Sequence, residues 1–344
     1  MNRIFSLLTF LLLFASPLLK AEDNKEVSDS EDFNPGEMIL HHISDAHDWH
    51  FAHIGHTHVT LPLPIILYSQ DRGLEVFMSS KFHNEAMEYN GYKLNEHDHL
   101  HPTDENRHVY DISITKNVAS LLLSAFILIV VFVSIGSAYN KNGLKAPKGM
   151  QSFFEPIILY IRDDIAKPVL GNKADKFLPY LLTIFFFIWF NNLLGLLPGG
   201  ANVTGNIAVT IVLAIITFLV TNLNGNANYW GHLLNPPGIP FAVKIILVPI
   251  ELIGIFTKPF SLMIRLFANI TAGHIIILSL LALIFIFKSI FMSAVSVPFA
   301  VFMNILELFV AILQAYVFTL LSAMYIGSAV EEHDHAHADH DLGH

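Results

Sequence analysis

At 344 residues, with 53% hydrophobic and only 14% charged, the chain is too apolar for an ordinary soluble domain, and its mean hydropathy of +0.52 points to a polytopic membrane protein. The formal net charge of −10 does not indicate a basic partner, because the acids gather before residue 115 and after residue 330, in solvated tails. The absence of cysteine excludes disulfides and thiolate metal sites.

At the N-terminus, Arg3 precedes an apolar run from Ile4 to Leu19, followed by Lys20-Ala21 and the acids Glu22-Asp23. The run is shorter than the ~20 residues of a bilayer span, so residues 1–21 read as a secretory signal peptide, with a retained anchor as the alternative. Residues 22–114 form an acidic, histidine-rich extension or small domain, exported to the periplasm, with His41, His42, His47, His50, His53, His56, His58, His97, His99 and His101. Pairs such as His56-Thr57-His58 have the spacing to chelate zinc or nickel, but a solvated, pH-responsive segment is the preferred reading and no metal site is assigned.

Val118 to Tyr139 is the first segment long and apolar enough to cross a bilayer. The next stretch carries Lys141, Lys145, Lys148, Arg162, Lys167, Lys173 and Lys176, and the excess of positive charge places it in the cytoplasm, with the N-terminal extension outside. Within it, Phe153, Phe154, Ile157, Ile158 and Ile161 recur at helical spacing opposite Glu155, Arg162 and Asp163, as in a helix lying on the membrane surface. Leu178 to Leu197 and Asn206 to Thr221, joined through Pro198-Gly199-Gly200, predict a helical hairpin. After a loop at 224–240 come Phe241 to Phe287 and Val295 to Tyr325, both longer than one perpendicular crossing, so each is expected to be tilted or broken. The tail 331–344 is again acidic and rich in histidine.

Arg265 is the residue that demands explanation, since its charge persists at any physiological pH and costs ~2.5 to 3.5 kcal/mol at the centre of a membrane. Glu251, Lys258 and Arg265 follow at seven-residue spacing on one helical stripe, with Glu251 roughly 21 Å from Arg265 along the axis. Ser261 and Asn269 stand four residues either side of Arg265, and Ala268, Ala272 and Gly273 leave room for another helix to approach. On the next segment Glu307 and Gln314, seven apart, share a face. Helical phase directs Gln314 toward the Arg265 face, and directs His274, half a turn out of phase with Arg265, toward Glu307. Histidine and a half-buried carboxylate both titrate near neutral pH and can relay protons. The bland alternatives are interhelical glue for Ser261, Asn269 and Gln314, a snorkelling role for Lys258, and a structural ion pair of Arg265 with Glu251 or Glu307.

The segment IELIGIFTKPFSLMIRLFANITAGHIIILSLL at 250–281 resembles the signature of the ATP synthase subunit a family. The resemblance extends to NNLLGLLPGGANVTGNIAVTIVLA at 191–214, to QAYVFTLLSAMYI from Gln314 and more loosely to EPIILYIRDDIAKPVLG from Glu155, covering a membrane domain at 115–330. It implies an all-α polytopic membrane protein of about five to six helices, with the last two long and strongly tilted as a hairpin against a ring of c subunits. It also implies a non-catalytic stator subunit of the rotary F-type ATP synthase that provides two proton half-channels, coupling proton flow to rotation of the c-ring. Arg265 then faces the ring's proton-carrying carboxylate, Asn269, His274, Glu307 and Gln314 border the outer half-channel, and Ser261 and Glu251 lie on the cytoplasmic side. Many bacterial members carry an acid where this chain has His274 and a histidine where it has Glu307, so the pair is exchanged here. The partners implied are the c-ring, the subunit b peripheral stalk, the rest of the complex and membrane lipid, in a bacterial inner membrane with the C-terminus cytoplasmic. No nucleic acid partner and no cofactor is expected, and the chain contains no G-x-x-x-x-G-K-[ST] phosphate loop. The competing reading, a secondary metal-ion transporter with histidine-rich capture tails, is opposed by Arg265, whose fixed charge repels a divalent metal. Proton coupling is expected over sodium because His274 and Glu307 form a proton-relaying pair.

Overall fold

The computed structural model describes residues 35–36, 39, 43–54, 57–82, 87–95, 100–104, 107–142, 146–197, 199–236 and 238–331. The signal peptide expected at 1–21, the tail beyond residue 331, and His41, His42, His56, His97 and His99 lie outside the described residues.

Sequence alternation organises the segment before the first span into strands, which the reading by composition did not foresee. These are β1 (Asp48–Ile54), β2 (Thr57–Pro62), β3 (Pro64–Ser69), β4 (Gly73–Met78), β5 (Glu88–Tyr89), β6 (Tyr92–Leu94), β7 (Leu100–Pro102) and β8 (Val109–Asp111). They pair as a β1-β2 ribbon, a sheet in the order β4-β3-β8 and a sheet in the order β5-β6-β7. Along β3 every second residue, Ile65, Leu67 and Ser69, turns inward, and the two apolar ones join Phe82, Tyr92 and Leu94 in a small core. Asn90 and Gly91, with φ of 54° and 81°, supply the left-handed pair that a two-residue hairpin needs between β5 and β6.

This domain is tied directly to the helices. Asp45 accepts a hydrogen bond from the backbone N–H of Asn117 at 3.0 Å and another from the Thr115 hydroxyl at 2.8 Å, so its carboxylate caps helix α1 (Lys116–Asn142). Trp49 donates its indole N–H to the carbonyl of Gly199 at 2.8 Å. His47 Nε2 lies 2.9 Å from Asp111 Oδ2, tying the approach to β1 to the end of β8.

The membrane part is all-α, as the residues predict. After α1 come α2 (Met150–Tyr160), continued by a π-helical turn at Ile161–Ala166, then α3 (Ala174–Gly195), α4 (Ile207–Leu223), α5 (Ala227–Leu234), α6 (Phe241–Phe287) and α7 (Ile290–Val330). Among the described residues four helical segments, Lys116–Lys141, Met150–Gly195, Phe241–Phe287 and Ile290–Val330, are long and apolar enough to cross a membrane, and the bent pair of α4 and α5 makes a fifth if counted as one span. Phe154, Ile161 and Ile165 are buried along α2 and its extension, and Phe154 packs at an angle against Phe132 of α1 and edge-on against Phe186 of α3. Phe153, grouped with that stripe by spacing, turns outward instead, since neighbouring helical residues stand about 100° apart.

α3 and α4 form the expected hairpin, with the Tyr180 hydroxyl bonded to Thr217 and Lys176 to Asn224. The stretch expected as a loop at 224–240 contains α5, turned by 100° from α4. Its apolar and aromatic residues Tyr229, Trp230, Leu233 and Leu234 sustain one short helix between Asn226 and the prolines that follow. α6 is continuous through Pro249 and Pro259 and is not broken. At 47 and 41 residues, α6 and α7 are each roughly twice as long as a ~30 Å hydrocarbon core requires. They are joined through Lys288, which adopts a left-handed conformation, and run antiparallel.

Two ends of the helical bundle are therefore distinct. One end holds the N-terminal domain, the α3–α4 loop and the α6–α7 turn. At the other, Lys173 Nζ and Asn226 Nδ2 bond to the carbonyl of Val330 at 2.9 and 2.8 Å, closing the C-terminus of α7.

Candidate functional site

The pairing of α6 with α7 brings polar side chains together in an otherwise apolar interface. Asn269 Nδ2 donates to Gln314 Oε1 at 3.0 Å. About one and a half turns further along α6, His274 Nδ1 lies 2.6 Å from Glu307 Oε1, within hydrogen-bonding distance. The Glu307 side chain is 4% exposed, and its second oxygen has no protein partner. Gln314 is 1% exposed and its amide nitrogen is likewise unpartnered. Buried polar atoms left in this state call for a hydrogen-bonding visitor such as water. Gly273 permits the approach, since a Cβ at this position would stand 2.7 Å from Glu307 Oε1.

Arg265 lies one turn before Asn269 on α6 and is exposed, with Ser261, Ala268 and Ala272 exposed along the same stripe. Leu262, Met263, Leu266 and Ile270 fill the opposite, buried side of that helix. Among the described residues Arg265 makes no ion pair or hydrogen bond, so the structural ion pair with Glu251 or Glu307 is absent. Ser261 and Glu251 come to no other member of the set; Glu251 is partly buried, fourteen residues before Arg265.

Lys258, placed on the Arg265 stripe by its spacing, and several residues that the sequence did not single out extend the polar set in both directions. Toward the end bearing the N-terminal domain, buried Asn192 of α3 donates to the Ala311 carbonyl at 3.2 Å, one turn from Glu307, and accepts from Thr204 at 2.6 Å. Thr271 of α6 bonds to the carbonyl of Gly205 in the same α3–α4 loop at 3.4 Å. Two adjacent asparagines in an apolar helix were the available signal, but nothing in their spacing names Ala311 or Thr204 as partners. Toward the opposite end, the Lys258 ammonium lies 5.4 Å from the ring centre of Tyr325. Both line a small cavity with Thr221, Asn222 and Tyr229, and the buried Thr221 hydroxyl is unpartnered.

Residues 118–327 match the family model described as ATP synthase A chain, and residues 38–121 match one described as a domain of unknown function (DUF8433). Among curated proteins, the chain is 52% identical over 240 residues to ATP synthase subunit a 2 of Chlorobaculum tepidum, covering 68% of this chain and 67% of that protein. It is 49% identical over 237 residues to ATP synthase subunit a of Chloroherpeton thalassium, covering 67% and 71%. The likeness to ATP synthase subunit a 2 of Chlorobium luteolum, at 42% identity, runs over 312 residues, or 88% of this chain and 78% of that one. The match therefore reaches across the Arg265 helix, its partner helix and the loop above them, and the chain belongs to the ATP synthase A chain family.

Proposed function

We propose that this subunit of the ATP synthase forms the two proton half-paths of the stator, with Arg265 as the charged barrier between them. The observation that carries the proposal is the unpaired guanidinium on an exposed, small-residue stripe at the depth of the buried polar pairs. A fixed cation there favours the ionised form of a carboxylate on a passing c-ring subunit and drives off its proton. The same charge blocks direct passage of a proton between the half-paths, so transfer requires rotation of the ring.

The outer half-path runs from the α3–α4 loop past Thr204 and Asn192 to Glu307 and His274, then to Asn269 and Gln314. The hydrogen-bonded contact of His274 with Glu307 supports a relay, since imidazole and carboxyl groups are both of the kind that pass protons on. The inner half-path leaves from Ser261 past the Lys258, Tyr325 and Thr221 cavity toward Glu251. Arrangement at opposite ends of the bundle supports this division, with Glu307 nearer the N-terminal domain and Lys258 nearer the closed end of α7. The excess length of α6 and α7 supports a hairpin steeply tilted against the ring.

In this reading the chain makes no ATP itself, and the peripheral stalk holds it against the ring. The membrane is a bacterial inner membrane, residues 1–21 are a leader, the extension at 22–114 is periplasmic, and the basic stretch and C-terminus are cytoplasmic. Protons rather than sodium ions are the coupling species. The test is ATP-driven proton uptake by vesicles carrying the assembled complex with Arg265→Ala. Pumping is expected to fall to background, and coupled pumping at the parental rate would remove the basis of the assignment.

A further inference from the structure

We propose that the outward face of the β4-β3-β8 sheet rests against the lipid bilayer, as a membrane-surface contact beside the first span. Backbone pairing arranges that face, the one turned away from the small core, in rows across the three strands. Tyr110, Tyr68 and Leu74 form the row farthest from α1, because Tyr68 pairs with both of the others. The ladder continues past β8, with the N–H of Ile112 bonded to the Ile66 carbonyl and that of Ile114 to the Pro64 carbonyl. Ile112, Ile66 and Val76 therefore make the second row, and Ile114, Pro64 and Met78 the row nearest α1. None of the nine is charged, whereas the solvated face of an antiparallel sheet ordinarily carries the polar residues of the alternation. Leu74, Val76 and Ile112 are 65%, 62% and 63% exposed, and Tyr68, Met78 and Tyr110 are exposed beside them. A contiguous apolar surface of this kind marks a contact site.

Three observations select lipid as what covers it. Ile114 is separated only by Thr115 from Lys116, where α1 begins, and exposed Val118, Leu122 and Phe126 carry an apolar surface on along that span, so the sheet adjoins a surface of the kind that lipid covers. The rows also change in chemistry with distance from the span. The two nearer α1 hold only isoleucine, valine, methionine and proline, while the farthest carries two tyrosines, whose amphipathic rings favour the headgroup level. Finally, Asp45 at the start of α1 and Trp49 at Gly199 fasten the domain to the bundle at two points, which keeps the sheet at the membrane surface. The inference rests on α1 crossing the bilayer and not on the proton path.

The chain has no cysteine, so an introduced one reports from a single place. The experiment labels Val76→Cys in the full-length chain with a small fluorophore, in nanodiscs of phosphatidylcholine and phosphatidylglycerol. Loss of emission to nitroxide-bearing phospholipid is expected, with protection from iodide in the water. Leu74→Cys repeats the measurement should Val76→Cys lose its melting transition. Lys93→Cys, at an exposed and charged position on β6, is expected to give the reverse pattern. Iodide quenching of the label at 76 or 74 would show the face in water, free for a protein partner, and protection from both quenchers would place a second copy of the chain on it. Either result overturns the lipid contact.

Discussion

His274 and Glu307 were predicted to meet from helical phase alone, and they do, because two long helices with a short turn leave little freedom in how their faces pair. Their contact is symmetric in chemistry: one imidazole and one carboxylate at 2.6 Å serve a relay whichever helix supplies each. Exchanging them, His274→Glu with Glu307→His, is expected to retain measurable ATP-driven pumping in vesicles. Either leucine substitution alone, His274→Leu or Glu307→Leu, is expected to lose about a hundredfold, the scale of a missing general acid or base. Single variants that pump at the parental rate would remove the pair from the path. Asn192 and Thr204 escaped the same reasoning, since their contact depends on how the α3–α4 loop folds back. Phase within one helix carries no information about a loop that packs across it.

At the scale of elements, the helices were legible because each needs a long apolar run, whereas the strands were hidden by composition. Pro64–Ser69 and the Tyr89-Asn90-Gly91-Tyr92 turn carry the alternation and turn chemistry of a sheet, within a segment whose charges and histidines resemble a solvated tail. The α5 helix was missed for a different reason, as eight residues between Asn226 and the prolines that follow are too few to show a period. The cap on α1 belongs to this scale as well. Asp45→Ala leaves the Asn117 N–H and the Thr115 hydroxyl without their acceptor and is expected to destabilise the junction by about 1 kcal/mol. A lower melting temperature of the purified chain is the readout, and an unchanged one rejects the cap.

Asp111 links the strands to acid stability. Burial acts to raise its carboxyl, but hydrogen bonds from His47 and from the hydroxyl and backbone N–H of Ser113 outweigh it and hold the group at about 2, below the usual 3.8. A carboxylate depressed by folding contributes stability above its unfolded value, and that contribution is lost as the pH falls toward its folded value. The domain is therefore expected to become sensitive to an acid-active protease as the pH drops from about 4 to about 2. In Asp111→Asn that pH dependence is expected to flatten, and an identical profile in the variant excludes Asp111 as its source.

For the whole molecule, the N-terminal domain and the bundle form one connected body through Asp45 at α1 and Trp49 at Gly199. Trp49→Phe keeps the ring and removes the donor, with an expected cost of about 1 kcal/mol and faster hydrogen exchange in the β1-β2 ribbon. Exchange unchanged from the parent would show that the indole bond does not hold the domain down. Trp49 and Gly199 are separated by 150 positions. A nascent chain delivers the indole long before its acceptor exists, and the bond closes only once α3 and α4 have threaded with their turn on the domain's side. A chain threaded the other way round cannot close it, so the contact is compatible with only one direction of the hairpin across the bilayer.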